Sequence, residues 1–79
     1  MDSALLGSWA RICRAYETAR ETHERAALAV RKIYAIASSL DECEALVDAE
    51  EAAFARVQAA LAVMGGFARA CREDEQATV

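Results

Sequence analysis

LLGSWARICRAYETARETHERAALAVRKIYAIASSL, residues 5–40, carries core-type residues in an unbroken alternation of steps of four and three. The series is Leu5, Trp9, Ile12, Tyr16, Ala19, His23, Ala26, Val30, Ile33, Ala37 and Leu40. An average step of about 3.5 residues keeps these side chains on one stripe of an α-helix, the seam of a helix that lies along another. The spacing predicts a first helix over residues 3–38, about 54 Å long at a rise of about 1.5 Å per residue.

Working outward, Ser38-Ser39-Leu40-Asp41 is the best break. Ser39 with Glu42, or Asp41 with Glu44, matches a capping box, in which a short polar side chain caps a helix and an acid three residues on reaches back. A second helix is predicted from 41 to 72, with its own stripe of Cys43, Val47, Glu50, Phe54, Val57, Leu61, Met64, Ala68 and Cys71. This stripe stays in phase across Gly65-Gly66. The glycines are read as lying inside one helix, with room for a kink there, and a turn followed by a short third helix over 67–73 is the alternative. Residues 73–79 are polar and expected to fray.

Folded back at residues 39–41, the two stripes align so that facing residue numbers total eighty, as Ala26 with Phe54 and Tyr16 with Met64 do. An all-α, antiparallel two-helix hairpin satisfies nine such layers. One flank of its seam, with Tyr34 facing Glu44 and Arg20 facing Gln58, is mixed and wet. The other, with Ile36 facing Leu46, Ala29 facing Ala53, Thr22 facing Ala60 and Ala15 facing Phe67, is apolar and rich in small residues. Left alone, that second flank is exposed, so dimerisation into a four-helix bundle through Ala15, Ala29, Ala53, Ala60 and Val63 is expected. Large side chains at the ends are expected to anchor a partner: Leu6, Trp9 and Phe67 at one end, Tyr34, Ile36 and Leu46 at the other. Arg11, Arg25 and Lys32 form a basic border suited to an acidic partner surface.

Composition agrees with a helical class. The 79 residues form one small domain with no proline, three glycines and twenty alanines. A core this small rarely supplies more than roughly 3–5 kcal/mol, so association with something is expected. Net charge is −4, which with the absence of a helix-turn-helix pattern argues against nucleic-acid binding. Residues 41–51 hold six acids and no base, while residues 1–40 hold six bases against four acids. Helix dipoles account for both halves: acids favour a helix N-terminus, and Arg31 and Lys32 stand near the preceding C-terminus.

Three cysteines, Cys13, Cys43 and Cys71, match no zinc spacing. The N-terminus has no basic region followed by an apolar run, and no stretch reaches membrane-spanning length, so a cytoplasmic chain with reduced thiols is expected. His23, the one histidine, and Glu50 both stand on the seam, two layers apart in this register. His23 is read as a polar spacer that sets register. No nucleophile with its base and orienting group is visible, so no enzymatic activity, metal or cofactor is expected.

In size and architecture the chain looks like small inhibitors encoded by phages of GC-rich bacteria, such as anti-CRISPR proteins and anti-activators. It also looks like the helical-hairpin co-chaperones of type III secretion, with no shared motif in either case. The implied function is a non-enzymatic protein-binding module that sequesters one partner; the alternative is a structural or co-chaperone subunit of a helical assembly, with a nucleic-acid-binding regulator as a minor one.

Overall fold

The computed structural model describes residues 3–77. Helix α1 spans Ser3–Arg31, a single-turn α2 spans Ile33–Ile36, and α3 spans Leu40–Ala77. No strand occurs among the described residues. The long helices run antiparallel: Trp9 meets Phe67, while His23, further along α1, meets Glu50 and Phe54, further back along α3. The result is a rod of 61 × 18 × 13 Å with a radius of gyration of 18.0 Å. A compact domain of this length would measure about 12 Å.

The first helix is shorter than its stripe. At Lys32 the backbone leaves helical geometry (φ −102°, ψ 16°), and its N–H is shared between the carbonyls of Leu28 and Ala29 at 3.1 and 3.2 Å. One more turn follows, and Ala37 is extended (φ −91°, ψ 135°). Of the two capping boxes, the chain uses Ser39 with Glu42. The Glu42 N–H donates to Ser39 Oγ at 3.1 Å, and the Glu42 carboxylate reaches back to accept from the N–H and hydroxyl of Ser38 at 2.7 and 3.0 Å. Asp41 and Glu42 also place negative charge in the first turn of α3, where the dipole favours it.

This choice moves the turn to residues 37–39, about two residues before the expected fold-back, and corrects the register. Facing numbers now total seventy-six, as Trp9 and Phe67 do. The α1 stripe is as expected, half-buried from Leu5 through Ile33, whereas Leu40 is exposed. On α3 the covered stripe is Cys43, Leu46, Glu50, Ala53, Val57, Ala60, Met64, Phe67 and Cys71, in steps of three and four. Each of these completes a total of seventy-six with an α1 stripe residue. Val47, Phe54, Leu61 and Ala68 therefore leave the seam and are exposed. Ala53 (3% exposed) and Val57 (8%) are the buried apolar residues among those described. They lie opposite His23 and Ala19, where small side chains let the helices approach.

Gly65 and Gly66 lie within uninterrupted α3, neither with positive φ, so there is no turn there and no separate helix over 67–73. The helix continues past Arg72 to Ala77, through most of the polar tail of 73–79; residues 78 and 79 lie outside the described residues. A Cβ at Gly65 would stand 3.3 Å from the Arg69 guanidinium, but one at Gly66 would meet nothing within 4 Å. Gly66→Ala is accordingly expected to stabilise the hairpin by about 1 kcal/mol, the helix-propensity difference, in a urea titration. Ala53→Glu is expected to unfold much of the population by placing an unpaired charge in the seam.

Candidate interaction surfaces

The turn end is organised by Glu42. Its carboxyl lies below its ordinary pKa of 4.5, chiefly because the Ser38 N–H donates to it and secondarily because the Ser38 hydroxyl does. The group is fully exposed, and its role is to hold the turn geometry. Beside it a shallow depression of about 380 Å³ is lined by Ile36, Glu42, Ala45 and Leu46. Tyr34 (87% exposed) and Leu40 (86%) project from this end.

Halfway along the seam, His23 Nε2 lies 2.8 Å from Glu50 Oε1, with both side chains mostly covered. The ring also packs on Phe54, centroids 5.2 Å apart. The expectation that His23 and Glu50 stand two layers apart is therefore overturned, because the four-residue change in register brings them together. They form a polar bridge across the seam, and Phe54 shields one side of it.

At the open end the Trp9 and Phe67 rings meet edge to face, centroids 4.9 Å apart and planes at 83°. Phe67 is half-buried in this contact, and Leu46 is half-buried at the other end. Leu6 and Ile36 are exposed, as are Arg11, Arg25 and Lys32.

The two flanks differ from expectation. One keeps a shallow cleft of about 220 Å³ lined by Arg11, Ile12, Ala15, Ala60 and Val63. Three of the five positions assigned to a dimer interface meet there. Ala53 does not join them, since the partner helix of its own hairpin already covers it; Ala29 is half-buried. The other flank was expected to be wet, yet heptad geometry puts Val47, Phe54 and Leu61 on it, with Leu6 and Tyr34 along the α1 and α2 side. Val47, Phe54 and Leu61 are between 38% and 48% exposed. The strip is hidden in the sequence because Val47, Phe54 and Leu61 also complete a seam stripe. The second three-four stripe on the same helix was the available signal.

The cysteines are free and half-buried. Among the described residues no group of three metal-ligating side chains comes together, and no helix is long and apolar enough to cross a membrane. Comparison with known protein families, curated proteins and solved structures found no match.

Two outcomes test the turn. Ser39→Ala is expected to cost about 1 kcal/mol in thermal denaturation. Because the folded-state pKa of Glu42 is lowered, its contribution to stability is complete above 4.5 and is lost as the pH falls through the folded value. In an NMR carboxyl titration Glu42 should have a midpoint below 4.5. Ser38→Ala should raise that midpoint only part of the way, since the backbone bond remains.

Proposed function

We propose that this hairpin is a non-enzymatic protein-binding module, a small inhibitor or anti-activator of the phage-encoded kind that sequesters one partner protein in the cytoplasm. The observation that carries this reading is the mismatch between core and exposed apolar surface. Only Ala53 and Val57 are buried among the described apolar residues, while Leu6, Tyr34, Ile36, Phe54, Leu61 and Val63 stand exposed. The accessible surface is 6034 Å², against about 4,700 Å² for a typical monomer of this mass. An excess of about 1,300 Å² exceeds the roughly 800 Å² that each partner contributes to a standard interface.

The flanks suit two tasks. The small-residue cleft of Ala15, Ala60 and Val63 fits close helix approach, and we assign it to self-association into a four-helix bundle. The strip of Val47, Phe54 and Leu61, continued by Leu6 and Tyr34, offers the larger side chains that anchor a foreign partner. Arg11, Arg25 and Lys32 favour an acidic surface and make association salt-sensitive.

Val63 separates self-association from folding, because it is 56% exposed in the hairpin. Val63→Glu is expected to weaken the dimer by about ten-fold or more in sedimentation equilibrium while leaving helicity unchanged. Affinity capture from the native host's lysate should return one protein, and Phe54→Ser with Leu61→Ser should abolish its capture. A wild-type chain that stays monomeric removes the dimer assignment. Capture of nucleic acid alone, or turnover of a small molecule, removes the binding-module reading. A chain that is molten when expressed alone favours the structural-subunit alternative.

A further inference from the structure

We propose that the hairpin is a two-register device. In it, α3 has a second seat one helical turn along α1, and the His23–Glu50 bridge holds it in the present one. The proposal rests on the hairpin itself and stands apart from the partner-binding reading.

Two stripes overlap on α3. They share Cys43, Glu50, Val57, Met64 and Cys71, and differ only at four places. Leu46, Ala53, Ala60 and Phe67 complete the occupied stripe, and Val47, Phe54, Leu61 and Ala68 complete the vacant one. Every alternative is apolar. Exchanging them takes a rotation of α3 by about 50° and a slide of about 6 Å, four residues of helix rise. In the second seat Phe54 faces Ala26 and Leu61 faces Ala19, again a large residue against a small one. The exposed strip then turns inward, and the other flank gains Leu46 and Phe67.

The turn carries a matching pair of alternatives. Ser39 and Glu42 cap α3 in the present seat. Asp41 and Glu44 have the same spacing two residues on. A turn moved by two residues raises the facing total from seventy-six to eighty, which is the register of the second stripe. On the α1 side, the break at Lys32 leaves a separate turn, Ile33–Ile36, that can adjust while α1 stays in place.

What decides between the seats is polar. In the present one His23 and Glu50 meet at 2.8 Å. In the other each faces a valine, His23 against Val57 and Glu50 against Val30, two layers apart. A polar seam residue left without its partner is the best-attested means of specifying helix register. Any binder that grips one set of exposed side chains selects the seat that displays it, because a ligand shifts a two-state equilibrium by its differential affinity.

The test is cross-linking in the full-length chain with Cys13, Cys43 and Cys71 replaced by serine. Tyr16→Cys with Ala60→Cys reports the present seat, and Tyr16→Cys with Met64→Cys reports the second. Intramolecular disulfide formation is followed by mass spectrometry under mild oxidation, with circular dichroism as the check on folding. With the bridge intact the first pair should link faster. Adding Glu50→Ala should raise the rate of the second pair relative to the first by about ten-fold or more. If Glu50→Ala lowers helicity, His23→Leu with Glu50→Leu removes the bridge while keeping the seam apolar, and the same rise is expected. Ser39→Ala should move the ratio in the same direction and Asp41→Ala in the opposite one. A second pair that stays unlinked in both bridge variants at native helicity overturns the proposal. So do two pairs that link equally with the bridge intact.

Discussion

Where the turn is pinned governs the rest of this hairpin, and it is pinned by Glu42. Its carboxylate accepts from the Ser38 N–H and hydroxyl while its own N–H donates to Ser39 Oγ. These local bonds satisfy backbone donors that the start of α3 would otherwise leave unpaired. A two-residue displacement of the turn changes the pairing of α3 with α1 by four residues. Four residues of helix change which side chains face inward along the whole rod. The cap at one end and the His23–Glu50 bridge halfway along agree on the one register in which Trp9 meets Phe67.

Packing along the seam is thin, which makes directional contacts more important than burial. Two of the described residues are buried, and the rest of both seam stripes is half-covered. A small hydrophobic term leaves directional contacts a larger share in setting the register. A charged or polar pair discriminates sharply, because its attraction disappears when the partners separate while the cost of covering each group remains. In the proposed two-register hairpin, the His23–Glu50 bridge contributes specificity more than stability. Phe54 follows from the same geometry: it shields the bridge with one face and leaves the rest of its ring exposed.

Surface chemistry follows from register in turn. With Ala53 and Ala60 turned toward α1, the small-residue face that a dimer was expected to share is partly used inside one chain. What remains of it is the cleft of Ala15, Ala60 and Val63. The larger side chains of the other stripe become the most apolar part of the opposite flank. The rod therefore presents two unequal flanks, one of small side chains and one of larger ones.

Much of this architecture was legible in the residues themselves. The four-three alternation from Leu5 to Ile33 fixes the inner face of α1, because helical period depends only on local geometry. The serines at 38 and 39 mark the turn, since capping is a contact between near neighbours. Continuity of the α3 pattern across Gly65-Gly66 places both glycines inside a helix, whose packing outweighs their poor propensity. The pairing of the helices could not be read in that way. On α3 two apolar stripes differ only between adjacent residues, and both satisfy nine layers against α1. Local pattern cannot separate them. Tertiary structure decided, because only when the helices are laid side by side do His23 and Glu50, twenty-seven residues apart in the chain, prove close enough in one register to bond and too far apart in the other.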